Sequence, residues 1–252
     1  MSAVETEAEP GADSLRERLA GVLRRVEASA RRAGRDPSEV TLIAVSKTHP
    51  ASLVERAIEA GARDLGENRV QEADQKITEI ERGAAGRARR ARWHLIGHLQ
   101  SNKARRAVKA IDVVHTVDSV ALLERLERLC DEEGREELPV LAQLSLAGEA
   151  TKAGAEEREL PAIIERAASC ARVRLVGLMA MPPFDEDAER ARPFFRRLGE
   201  LRDEWGARGA FRGGAGDLSM GMSHDFEIAV EEGATMVRVG TAIFGAREKP
   251  RG

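Results

Sequence analysis

The sequence predicts a single-domain (β/α)8 barrel of the TIM type with an extra N-terminal helix. Three observations carry that expectation. The chain has 252 residues, a common length for one such barrel. Eight short apolar runs alternate with amphipathic helical patterns. Several runs, such as "LIAV", "RLVGLMAM" and "TMVRVG", are apolar at consecutive positions, as in parallel strands covered on both faces. A doubly wound open sheet is the alternative, but no GxGxxG follows the first strand.

Residues 1–13, "MSAVETEAEPGAD", are acidic and have no apolar stretch of the kind a secretory signal needs. They read as a disordered tail. Ser14 and Glu17 form a capping box, and Leu15, Leu19, Val22, Leu23 and Val26 recur at helical spacing behind it. The eight expected strands are Thr41–Lys47, Arg63–Asn68, Trp93–His98, Val113–Ser119, Val140–Leu146, Arg174–Met181, Asp217–Met222 and Met236–Gly245. Helical patterns such as "SVALLERLERLCDEEG" and "ELPAIIERAASCA" separate them. No linker divides the chain, so residues 14–248 are expected to form one domain.

Composition excludes some classes of function. A formal net charge of −3 supplies no drive toward nucleic acid or anionic membrane. No apolar run approaches the roughly 20 residues of a membrane span. Cys130 and Cys170 sit in helical patterns without metal-ligand spacing, which predicts structural thiols in a reducing cytoplasm and no metal. Positions 82–109 carry nine basic residues and no acidic one. Trp93 is the sole aromatic there, so a solvated face is expected, not a nucleic-acid surface.

Chemistry is sought at the C-terminal ends of the strands, where barrels of this type build their sites. The first strand, in "TLIAVSKTHP", ends at Lys47. Of the 40 basic residues only six are lysines, at 47, 76, 103, 109, 152 and 249, so a lysine here points to a use for its amine. Partial burial would lower the amine's pKa and make it a Schiff-base nucleophile. After the second strand, Asn68 and Gln71 suit a helix cap and its capping-box partner. After the third, "WHLIGHLQSNK" puts His98, Gln100 and Asn102 at the mouth, while His94 near the strand start fits a satisfied core histidine.

The last two strand ends are the most informative. "LSMGMSHD" places Gly221 and Ser223 where a strand passes into a helix, with Ser223 expected as N-cap and Asp225 in the first turn. "VRVGTAIFG" brings Gly240 and Thr241 to the corresponding place on the next strand. Phosphate often binds at these two positions of a barrel. An amine facing a phosphate cradle points to one ligand with an aldehyde and a phosphate, and pyridoxal 5′-phosphate (PLP) fits. Arg238, if it faces inward, would meet the pyridine nitrogen. A guanidinium only donates, so that nitrogen would stay unprotonated and the ring would be a weak electron sink.

The stretches "LIAVSKTHP", "GENRVQEA", "WHLIGHLQSNK", "HTVDS", "EATKAG", "GLMAMPP" and "LSMGMSHDFEIAVEEGATMVRVGTAIFG" together resemble the pyridoxal-phosphate homeostasis proteins, over about residues 40–247. The resemblance implies a monomeric barrel similar to the N-terminal domain of alanine racemase. It implies that Lys47 is the Schiff-base lysine, that Ser223, Gly240 and Thr241 hold the phosphate, and that Arg238 meets the ring nitrogen. Asn68 and Met222 lie in matching stretches and are taken as further cofactor-binding residues. Ser145 replaces an asparagine common in the family. The implied function is cytoplasmic PLP and amino-acid homeostasis by a carrier without strong catalysis, with apo PLP enzymes as acceptors. The alternative is a PLP-dependent amino-acid racemase. It is disfavoured because the chain has no tyrosine for the second base and ends soon after the last strand. A Schiff-base aldolase without PLP leaves the ends of strands 7 and 8 unexplained.

Overall fold

A computed structural model describes residues 12–83, 91–146 and 154–245. The helices are α1 (Ala12–Arg32), α2 (Ala51–Ala60), α3 (Val70–Gly83), α4 (Ala104–Ala110), α5 (Val120–Glu132), α6 (Leu160–Ala168), α7 (Arg192–Gly206), α8 (Phe226–Glu231) and α9 (Thr241–Phe244). The strands are β1 (Thr41–Val45), β2 (Asp64–Glu67), β3 (Arg92–Leu95), β4 (Val113–Val117), β5 (Leu138–Leu144), β6 (Val173–Ala180), β7 (Asp217–Met222) and β8 (Met236–Val239). Each strand pairs in parallel with the next, and β8 pairs with β1 to close the barrel. The expected (β/α)8 architecture is what forms.

Why these segments become strands follows from coverage on both faces. Outward residues such as Ala44, Leu65, Val114 and Val237 are buried under the helices in the large core. Inward residues either pack on one another, as Val113, Leu141 and Met179 do, or join a polar chain described below. Helix α1 lies against α2, α8 and α9. Leu15, Leu19, Val22 and Val26 make its buried stripe. Leu23, expected on that stripe, is 47% exposed. Arg18 Nε donates to the Ile243 carbonyl at 2.6 Å and ties α1 to α9.

Several expected boundaries shift. Helix α1 already runs at Ala12, so Ser14 lies inside it and does not cap it. Residues 1–11, most of the expected tail, lie outside the described residues. β1 ends at Val45 and leaves Lys47 in a turn. The expected strand Met236–Gly245 is strand only to Val239; Gly240 stops it, and "TAIF" is a turn of helix. An apolar run alone does not separate these two states.

Two other expectations can be placed. Both cysteines are free and buried, and burial pushes the Cys130 thiol up to about 11. That makes it a packing residue and not a nucleophile. The basic stretch falls partly at 84–90, outside the described residues. Of its described members, Arg92 pairs with Asp64, Arg105 with Glu132 and Glu133, Arg106 with Asp74 and Lys109 with Glu133.

Closure leaves no room at one β6 position. A Cβ on Gly177 would stand 2.1 Å from the Asp217 carbonyl oxygen of β7. Gly177→Ala should therefore force the two strands apart and destabilise the protein by about 1–3 kcal/mol or more. Gly83→Ala, at a helical position with open space around it, should be neutral or slightly stabilising. Urea unfolding of both variants checks this; equal midpoints would show that β6 and β7 adjust freely.

Candidate functional site

Lys47 is half-buried and sits in the loop that leaves β1. The loop is held from behind by a buried charged cluster. Lys76 Nζ of α3 donates to the Ser46 carbonyl at 2.7 Å, to Glu67 Oε1 at 2.6 Å and to Glu72 Oε1 at 2.7 Å. Ser46 Oγ donates to the same Glu67 oxygen at 2.6 Å. Burial raises the Glu67 carboxyl's pKa, and the ammonium of Lys76 opposes the rise. Glu72 also accepts the Thr48 N–H. Thr48 has φ of 69°, a left-handed conformation that a β-branched residue rarely adopts. Such strain costs about 1–3 kcal/mol and persists only where neighbours impose it. Here it follows the candidate amine directly. One residue on, His49 stacks on Phe244 of α9, with centroids 5.1 Å apart, and joins the lysine loop to the end of β8.

The β7 and β8 ends meet this loop. Gly240 lies so near β1 that a Cβ would be 3.2 Å from the Val45 carbonyl oxygen. Its N–H donates to Ser223 Oγ at 3.1 Å. Ser223 thus bridges two loops and is not the expected N-cap of α8. Asp225 takes the cap position, and its carboxylate accepts the Met222 N–H at 2.6 Å. Because Ser223 accepts from Gly240, its own hydrogen is left to donate outward. Thr241 is exposed beside it, at the start of α9, where the first N–H groups have no carbonyl four residues back. The hydroxyl-bearing Ser223 and Thr241 therefore stand beside the Lys47 loop on either side of Gly240, whose own N–H is given to Ser223. Gly221 makes the turn possible: its φ is +89°, and a Cβ would meet Ala229 Cβ at 2.5 Å.

Arg238 points into the barrel and is 3% exposed. Its Nη1 donates to Ser219 Oγ at 2.6 Å and its Nη2 to the Ala180 carbonyl at 3.1 Å. Burial pulls the guanidinium down to about 10, with Asp225 acting in the other direction. Met222, half-buried, pairs with Arg238 in register. The donor set suits PLP: hydroxyl and amide donors for a phosphate, a donor-only cation one layer below, and an amine on the neighbouring strand end.

Asn68 stands in the adjoining sector. Helix α3 starts at Val70, so Arg69 and not Asn68 holds the cap position. The Asn68 backbone fills the space beside Gly97, where a Cβ would be 2.3 Å from its carbonyl oxygen. A cavity of about 600 Å3 opens on this side, lined by Asn68, Gln71, His98, Gln100 and Lys103 among others. His98 is exposed at the rim, 3.4 Å from Asp118. Asn102 is exposed. Ser145, at the end of β5, donates its N–H to the Ala155 carbonyl at 2.9 Å.

Several residues of the site escaped the sequence. Lys76, Glu67 and Glu72 support the lysine loop, yet the scarcity of lysine applies to Lys76 as much as to Lys47. His115 and Ser219, both fully buried, were hidden in apolar strands, where a single polar residue is the available signal. His94 is the satisfied core histidine expected, with Nε2 at 2.9 Å from Asp64.

Burial lowers the pKa of His94 and lowers that of His115 well below 6.5. Asp64 is also lowered; burial raises it, but hydrogen bonds from His94 and Arg92 outweigh that. A histidine depressed in the folded state binds more protons when unfolded. Its stability contribution is present above about 6.5 and lost as pH falls through that value. Glu67 works oppositely, its contribution being lost as pH rises above about 4.5. In the PLP-free protein the thermal midpoint should therefore drop between pH 7.5 and 5.5, and less steeply in His115→Gln. A flat profile in the parent protein would contradict neutral buried imidazoles.

Fold and site together define an alanine racemase N-terminal type of barrel. The family described as "Alanine racemase, N-terminal domain" matches residues 19–248. The chain belongs, within this class, to the pyridoxal phosphate homeostasis protein family. It is 42% identical to the protein of that name from Pseudomonas aeruginosa, over 93% of this chain and 96% of the other. It is 41% identical to the Escherichia coli K12 protein, over 91% and 95%. The structure of PipY from Synechococcus elongatus PCC7942 with PLP bound is 39% identical, with a TM-score of 0.77 over 92% of this chain and all of that one. Alanine racemase from Bartonella henselae, at 15% identity and a TM-score of 0.59, shares the fold.

Proposed function

We propose that this chain binds PLP covalently through Lys47 and serves intracellular PLP and amino-acid homeostasis as a carrier. The observation that carries the proposal is the convergence of Ser223, Gly240 and Thr241 on the loop that presents Lys47. Bound PLP supplies an aldehyde that condenses with an amine. The protein's part is positional. The Lys76 cluster fixes the Lys47 loop, the β7 and β8 ends would donate to the phosphate, and Arg238 would donate to the ring nitrogen. Met222, in register with Arg238, would border the ring, and Asn68 would approach it from the adjoining sector. The protein acts as a monomer in the cytoplasm and passes PLP to apo PLP enzymes.

The racemase alternative draws on the shared fold, but it needs a base on each face of the bound amino acid. Lys47 can serve one face. The described barrel has no tyrosine for the other. A missing general base is worth about 10²–10⁴-fold in rate.

Three outcomes are expected. The purified protein should be yellow, and borohydride should fix PLP on Lys47, as peptide mass spectrometry will read; label confined to Lys103 or Lys152 would refute the assignment. Ser223→Ala with Thr241→Ala should weaken PLP binding by about two to four decades if each charge-assisted hydrogen bond contributes about 1.5–3 kcal/mol. Unchanged affinity would place the phosphate elsewhere. Finally, holo protein should load an apo PLP enzyme yet show at most marginal α-proton exchange with L- or D-alanine in deuterium oxide. Exchange at about 1–10³ per second would make it an enzyme.

A further inference from the structure

A line of hydrogen bonds crosses the inside of the barrel and ends on Arg238. Asp64 Oδ1 lies 2.9 Å from His94 Nε2, and His94 Nδ1 lies 2.8 Å from His115 Nε2. His115 Nδ1 lies 2.8 Å from Ser219 Oγ, which accepts from Arg238 Nη1 at 2.6 Å. Asp64 is the first residue of β2, at the N-terminal end of the barrel. Arg238 is in register with Met222, the last residue of β7, near the opposite end. His94, His115 and Ser219 are each fully buried.

The two termini fix the direction of every bond. A carboxylate can only accept and a guanidinium can only donate. Ser219 accepts from Arg238, so its own hydrogen goes to His115 Nδ1. His115 must then carry its proton on Nε2 and give it to His94 Nδ1. His94 in turn carries its proton on Nε2 and gives it to Asp64. In this order each ring nitrogen is used once, the Ser219 hydroxyl accepts one hydrogen bond and donates one, and both imidazoles are neutral, while Asp64 Oδ1 accepts from Arg92 as well as from His94. The reverse order would leave the Ser219 hydroxyl accepting from both sides, with its own hydrogen unpaired in a dry interior, at a cost of about 1–3 kcal/mol.

We infer that Asp64, His94, His115 and Ser219 form one directional relay that positions Arg238 for the cofactor from the far end of the barrel. Asp64, itself paired with Arg92, anchors the accepting end of the line, Asp225 is the charge that acts favourably on Arg238, and the neutral groups between the two ends align their dipoles along the line. Such chains strengthen their members. The relay holds charge and does not conduct it, because a donor-only guanidinium has no lone pair to receive a proton from Ser219. Other charges bear on its ends: Arg92 Nε donates to Asp64 Oδ1 at 2.6 Å, Asp112 acts on His94, and Asp225 acts on Arg238. The relevance to PLP rests on the functional proposal above; the relay itself does not.

The test uses the full chain labelled with 15N, first freed of PLP. Imidazole correlation spectra from pH 5.5 to 8 should show His94 and His115 as neutral Nε2–H tautomers throughout. An Nδ1–H tautomer or an imidazolium at either buried position overturns the relay. Arg238 guanidinium hydrogens should exchange slowly with solvent, and at least tenfold faster in Asp64→Leu and His115→Leu. His115→Gln should restore slow exchange, since its amide oxygen can accept from Ser219 and its amide nitrogen can donate to His94. Equal exchange in parent and Leu variants would refute positioning, even if a variant unfolds more readily, because the parent tautomers are read separately. In a second arm PLP is added: the Leu variants should lose about tenfold in affinity, and His115→Gln much less. A parent chain that never binds PLP would sink the functional proposal and leave the tautomer and exchange results to decide the relay.

Discussion

The β1–β8 pairing is the constraint on which the rest depends. Backbone hydrogen bonds that set Ile43 against Arg238 close the barrel and fix which face of β8 looks inward. Side chains alternate along a strand, so a slip of one residue would turn Arg238 out to the helices and Val237 in. The same pairing lays Gly240 against Val45, two residues before Lys47. One register thus determines both the orientation of the guanidinium and the meeting of the lysine loop with the phosphate-type donors.

Closure also creates an electrostatic problem. A guanidinium inside a dry barrel costs free energy unless its donors are met. Two of them are met by Ser219 and the Ala180 carbonyl, and the line through His115 and His94 leads to a carboxylate. The lysine loop has a separate solution. Lys76, Glu67 and Glu72 pair with one another outside the barrel wall, and the ion cluster anchors the Ser46 carbonyl and the Thr48 N–H. Removing one member of such a buried cluster leaves an uncompensated charge, which is why it can impose a left-handed threonine. Two polar systems, one inside the strands and one outside, therefore support two sides of one mouth.

Local chemistry made much of this legible in advance. Apolar runs with helical patterns between them specify strands buried on both faces, and eight of them in sequence permit few topologies. The scarcity of lysine marked Lys47, and glycine with hydroxyl residues at two consecutive strand ends marked Ser223, Gly240 and Thr241. Strand ends were less legible because the last apolar residues of a strand and the first of a helix look alike. "VRVGTAIFG" shows this: only Gly240 separates β8 from α9.

The barrel, and the positions of Lys47 and of the glycine- and hydroxyl-rich ends of β7 and β8, can be read from residues close together along the chain. Tertiary structure alone decided that Arg238 faces inward, that Ser223 bridges to Gly240 instead of capping α8, and that Asp64, His94, His115 and Ser219 stand in line. Those relations join residues on five different strands. Their positions relative to one another are set by barrel register, and no local propensity carries information about it.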